Sequence, residues 1–171
     1  MRDTPHPATI KTTAPSLQGV VERPRLLNAL SQLPAASKWL QAPSGTGKST
    51  LAASYARSVG KPFAWYQLDE RDNDPAFFFE NFSDAAEAQL DLAAPLPKFL
   101  SDDHSRPQKF ARRHFGALPV RLQRPVLIIL DDAQHVTAEP SPAGLRLIRR
   151  LGSSVQQVSH RSFGVHLFGS G

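Results

Sequence analysis

Ala42-Pro43-Ser44-Gly45-Thr46-Gly47-Lys48-Ser49-Thr50 is the stretch that decides the reading of this chain. It fits the pattern of a phosphate-binding P-loop, with Ala in the place of the first Gly. A triphosphate gathers several negative oxygens in one place, and a glycine-bearing turn that runs into a helix N-terminus aims successive backbone N–H groups at them. Gly45 and Gly47 permit that approach. Lys48 offers a charge for the β and γ phosphates, and the Ser49 hydroxyl suits a bound Mg2+. Ahead of the loop, Lys38-Trp39-Leu40-Gln41 reads as a short strand. After it, residues 49–59 read as a helix with Leu51, Ala52, Tyr55 and Ala56 along one side, closed by Gly60. Strand, glycine loop and helix are the frame the pattern needs, so the expected fold class is α/β, a P-loop NTPase-type parallel sheet flanked by helices.

The second informative stretch lies downstream. Val126-Leu127-Ile128-Ile129-Leu130 is an uninterrupted apolar run that ends in Asp131-Asp132, as a strand buried on both faces of a parallel sheet would. Carboxylates at the C-terminal end of such a strand stand where ligands of these sheets bind. Alone this is weak evidence, because Asp is common in turns. Downstream of a P-loop it is the Walker B arrangement, in which Asp131 holds Mg2+ and Asp132 polarises the attacking water.

The 171 residues suffice for one domain with a packed core and leave no room for a second. Hydrophobic content of 40% and charged content of 20% fit a globular protein, and the 15 prolines concentrate in linkers. The absence of cysteine excludes disulfides and thiolate metal sites and suits a reducing cytosol. A net charge of +5 raises the question of nucleic acid, but the basic residues are scattered. The clusters Arg112-Arg113 and Arg146, Arg149, Arg150 read as solvated helix faces. No apolar run reaches membrane-spanning length and residues 1–10 lack the core of a signal peptide, so the expected location is cytoplasmic, with no membrane partner.

Residues 1–18, with Pro5, Pro7 and Pro15, have too few apolar side chains to fold alone and read as a flexible lead-in to a domain spanning 19–171. Glu22-Arg23-Pro24-Arg25 opens a short helix with Leu26, Leu27, Leu30 and Leu33 on one face. Its position just before the loop strand suits either a flank for the nucleotide base or plain packing. Residues 63–68 read as a strand, and 69–73 as a polar turn. Asp74 and Pro75 read as N-cap and first residue of a helix that buries Phe78, Phe82, Ala85, Ala86 and Leu90. The acidic turn is assigned capping and solvent roles rather than chemistry. A Pro-rich linker over 93–107 precedes a helix over 108–118 with Phe110, Leu118 and either His114 or Phe115 inward. A last helix starts at Ser141-Pro142 and a short strand covers 165–168. The six histidines show no metal-ligand spacing.

Arg23-Pro24-Arg25-Leu26-Leu27, the 42–49 loop, Trp65-Tyr66-Gln67-Leu68-Asp69, Asp72-Asn73-Asp74-Pro75 and Leu130-Asp131-Asp132-Ala133-Gln134-His135 together resemble one family. It is the nucleotide-binding domain of MalT-like, LuxR-type transcription regulators, a branch of the signal-transduction ATPases with numerous domains (STAND). The resemblance covers roughly residues 10–170. It implies ATP and Mg2+ as cofactors, with Arg23 and residues 42–50 on the nucleotide, Ser49 and Asp131 on the metal and Asp132 beside the water. It also implies slow hydrolysis working as a signalling switch. In that family the strand matching residues 165–168 lies between the loop strand and the paired-Asp strand, and ends in a Ser-Arg whose Arg senses the γ phosphate. Here the chain reads Gly169-Ser170-Gly171, and the sensor repeats and helix-turn-helix have no counterpart. The chain is therefore expected to be an N-terminal portion with a sheet incomplete at its C-terminus. DNA contact would belong to regions absent from it, and self-association through the exposed loop strand is expected. A non-catalytic ATP-binding module with no turnover stands as the alternative.

Overall fold

The computed structural model describes residues 11–33, 38–136 and 163–169. In chain order these form α1 (Pro24–Gln32), β1 (Lys38–Gln41), α2 (Lys48–Ser58), β2 (Phe63–Gln67), α3 (Pro75–Gln89), α4 (Pro107–Arg121), β3 (Val126–Asp131) and β4 (Phe163–Gly169). Short 3-10 turns lie at Glu70–Asn73, Ser101–Ser105 and Ala133–Val136. Three of the helices begin with proline, whose missing N–H costs nothing in a first turn. The expected helix over 141–158 and the first ten residues of the lead-in lie outside the described residues.

The four strands are parallel in the order β1-β4-β3-β2. The strand at 163–169 therefore does fill the middle of the sheet, pairing His166 with Lys38 on one side and with Ile129 on the other. Strand alternation divides the core between the two faces. Val126, Ile128 and Leu130 of β3, with Ala64 and Tyr66 of β2, pack under α3 and α4. Leu127, Ile129 and Trp65 pack with Ala52, Ala53 and Ala56 of α2 and Leu30 of α1. All six residues of β3 are buried, as the unbroken apolar run requires. β2 stands at one edge, where the Gln89 side chain takes the place of a neighbouring strand. Its Oε1 accepts from Trp65 N at 2.9 Å and its Nε2 donates to Trp65 O at 3.0 Å.

Three expectations change in detail. α4 starts at Pro107 and runs through Pro119 to Arg121, a proline tolerated because it removes a bond only near the helix end. Both His114 and Phe115 face inward, at 0% and 4% exposure, because α4 lies between the sheet and the 95–99 linker and has apolar neighbours on two sides. The domain boundary expected at residue 19 does not mark where packing begins. Lys11 is buried, and Ala14 and Leu17 pack against the α2 core. Composition misses this because the segment contributes few side chains, one of them a lysine that is neutralised where it lands.

Candidate functional site

The loop joins β1 to α2 at the C-terminal end of the sheet, the end at which ligands of parallel sheets bind. Its path depends on two left-handed residues, Gly45 at φ +77° and Gly47 at φ +80°. Gly47 is the N-cap of α2, and no side chain caps that helix start, so its first-turn N–H groups are left for solvent or a ligand. Residues 43–46 are exposed, while Ala42 and residues 47–50 are half-buried. The Thr46 hydroxyl donates to Pro43 O at 2.8 Å and closes the turn. Thr50 sits in the first turn of α2 and accepts at its carbonyl from the Ser54 hydroxyl.

Lys48 lies back over the loop, its Nζ donating to Ala42 O at 2.8 Å and Pro43 O at 2.9 Å. Both carbonyls belong to the loop itself, so the ammonium is held where phosphates would collect. Arg23 comes to the same place from the start of α1. Its Nη1 donates to Thr46 O at 3.0 Å, and a Cβ on Gly47 would stand 3.3 Å from Nη2. Glycine at 47 is thus required by φ, with the guanidinium packed close beside it.

β3 delivers the carboxylates. Asp131 is 4% exposed, and the Ser49 hydroxyl donates to it across from α2. Burial pushes its carboxyl above the usual range, the neighbouring Asp132 adds to that, and Ser49 and Lys48 oppose it. A buried carboxylate one hydrogen bond from a hydroxyl is an oxygen-only donor pair, the chemistry a hard cation such as Mg2+ takes. Among the described residues no group of three or more His, Cys, Asp or Glu could hold a metal by themselves.

Asp132 follows in a left-handed conformation at φ +57°, unusual without glycine. Its Oδ2 accepts from Gln67 Nε2 at 2.8 Å. Gln67 is the functional neighbour the sequence reading missed. Its signal is the register of two adjacent parallel strands, which sets Gln67 opposite Asp131, and no spacing along the chain displays that. The acidic turn also departs from expectation at one point. Asp69 and Asp74 cap as expected, accepting from Arg71 N and Ala76 N. Asp72 also caps, accepting from Asp69 N, but it is 3% exposed rather than solvated and accepts as well from the Tyr66 hydroxyl at 2.6 Å and Lys11 Nζ at 2.7 Å. Two cavities of about 290 and 250 Å³ open along α3 and share no residue with the loop.

The structure therefore brings Arg23, Lys48, Ser49 and Asp131 to the loop, with Asp132 next along the chain. The chain is 31% identical over 150 residues to the HTH-type transcriptional regulator MalT of Vibrio campbellii, a match covering 80% of this chain and 15% of that protein. It is 32% identical over 141 residues to MalT of Serratia proteamaculans, covering 78% of this chain and again 15% of the relative. The Aeropyrum pernix ORC2 protein, solved as ADPNP and ADP complexes, superposes with a TM-score of 0.55 at 15% identity over 86% of this chain and 39% of that one, a likeness of fold. No helix among the described residues is long and apolar enough to cross a membrane. A family model described as an AAA domain matches residues 38–171, from the loop strand onward, and the chain belongs to that family of P-loop ATPase domains.

Proposed function

We propose that the chain binds ATP with Mg2+ at the 42–50 loop and acts as a slowly hydrolysing switch domain of the kind found in MalT-like regulators. The observation that carries this reading is the convergence of Lys48, Ser49 and Asp131 where β1 and β3 end. On binding, Lys48 exchanges the Ala42 and Pro43 carbonyls for phosphate oxygens, and the amides at the start of α2 take the anion. A bound Mg2+ would be held by Ser49 and Asp131 and would supply charge neutralisation at the phosphates. Arg23 sits at the rim, beside Gly47, and contacts the nucleotide from the α1 side. Asp132, oriented by Gln67, accepts a hydrogen bond from the attacking water.

A second reading is binding without turnover, for which the loop, Lys48, Ser49 and Asp131 suffice. The chain spans about 15% of the length of the MalT proteins it matches, so DNA contact would fall to regions outside the matched span. The test is ATP turnover in the wild type and in Asp132→Asn. Slow hydrolysis abolished by the substitution supports the switch; bound ATP that is never hydrolysed in either protein supports the second reading.

A further inference from the structure

The turn that follows β2 is built around a buried cation. Lys11 Nζ stands 2.7 Å from Asp72 Oδ2 and 3.1 Å from Asp69 Oδ2, and lies over the rings of Tyr66 and Phe77 at 5.1 and 5.0 Å. Asp72 has a side chain fully removed from solvent and also accepts from Asp69 N at 2.7 Å, so the lysine neutralises the carboxylate that folds the turn. A charge buried this deeply is tolerated only with a partner, which makes Lys11 a fixed part of the turn although it lies 61 residues away in sequence.

The same turn reaches the strand that carries the paired carboxylates. Asn73 Nδ2 donates to Glu70 O at 2.8 Å within the turn and to His135 O at 3.2 Å across to the 3-10 turn after β3. His135 N in turn donates to Asp132 O at 3.1 Å. Asn73 keeps its Oδ1 buried with no partner among the described residues, so the position is held for what its Nδ2 does. A residue at φ +57° without glycine persists when its surroundings fix it, and Asp132 is held at its carbonyl by His135 N and at its carboxylate by Gln67.

We propose that Lys11, Asp72 and Asn73 are positioning residues for Asp132: the lysine locks the 69–74 turn, and the turn holds the 133–136 turn and with it the carboxylate that faces the nucleotide. The proposal rests on the nucleotide reading for its consequence and on the protein geometry alone for its mechanism. Linkage makes the coupling reciprocal, so a nucleotide that shifts Asp132 loosens or tightens Lys11, and whatever pulls on the segment ending at Lys11 biases Asp132.

Hydrogen exchange on the full chain without nucleotide reads the brace directly. In Asn73→Ala and in Lys11→Met the amides of residues 133–136 should exchange about tenfold faster, the loss expected for one net hydrogen bond, with α2 amides unchanged. Lys11→Arg should restore the wild-type rates. Lys11→Met leaves Asp72 buried without its cation. Should that variant unfold, Lys11→Met combined with Asp72→Asn removes both charges together and carries the same test. Faster exchange confined to residues 69–74, or no rescue by arginine, would overturn the brace. In the same samples, ATP turnover should fall in Asn73→Ala while Mg-ATP affinity holds; turnover unchanged from that of a hydrolysing wild type also counts against positioning. A wild type that binds no Mg-ATP sinks the nucleotide reading and leaves the exchange result to decide the brace.

Discussion

Asp131 ends a strand whose every other side chain is apolar, and its carboxyl is held above the usual range chiefly by burial. A core has no use for such a group, whereas a cation beside it recovers the cost. Asp131→Ala should therefore leave the circular dichroism spectrum intact and lower the Mg2+-dependent part of ATP affinity by about tenfold, the scale of one charge-assisted contact. An unfolded variant would mark Asp131 as structural. At this scale the gathering of these residues was largely legible. Lys48 and Ser49 follow from fixed offsets in the loop, and Asp131 from its place at the end of an apolar run. Gln67 and Lys11 were not legible, since each meets its carboxylate through sheet order or a long closure. Asp132 is 65 residues from Gln67, and nothing in local sequence marks the pair.

At the scale of elements, α3 and α4 meet through rings. Phe79 lies 4.7 Å from Phe110, and His114 is packed among Phe79, Phe110 and Phe115 at 5.0, 5.4 and 5.2 Å between centroids. Pro97 O can only accept, so His114 Nδ1 carries the proton at 3.0 Å and Nε2 is left buried without a partner among the described residues. Burial first, then the Arg121 and Arg113 charges, depress this imidazole from 6.5 to about 4. Between those values the unfolded chain binds more protons than the folded one, so stability is complete above pH 6.5 and drains as pH falls toward 4. The loss should approach ~3 kcal/mol, seen as a lower urea midpoint at pH 4.5 than at pH 7, and His114→Leu should flatten it. Asp131, raised by burial, opposes part of this loss, so the comparison with His114→Leu decides: an equal pH dependence in both proteins would contradict the buried neutral ring. Asp69 does not confuse the window. Burial raises it, the Arg71 and Lys11 hydrogen bonds outweigh that and hold it at about 2, and its contribution is lost only below its ordinary 3.8. Helical periodicity found α3 and α4 but left His114 and Phe115 as alternatives, because spacing presumes one buried face and α4 has two apolar neighbours.

Over the whole molecule, the sheet order β1-β4-β3-β2 makes the site. β4 separates the loop strand from the carboxylate strand, so the ends of β1 and β3 stand one intervening strand apart. The α/β class and the two-faced burial of β3 could be read from the chain, since an apolar run beside a P-loop admits few other folds. The position of β4 was legible only through family resemblance, because strand order is a property of crossovers that no residue pattern encodes. The packing of residues 11–17 was not legible, a segment too polar to announce a core contact. Holding a nucleoside triphosphate through Lys48 is what the fold is proposed to do, and calorimetric titration of Mg-ATP into the wild type and Lys48→Ala measures it. Saturable binding to the wild type and an affinity roughly ten- to a hundredfold weaker in the variant are expected; equal affinities, or no binding to the wild type, would contradict the assignment.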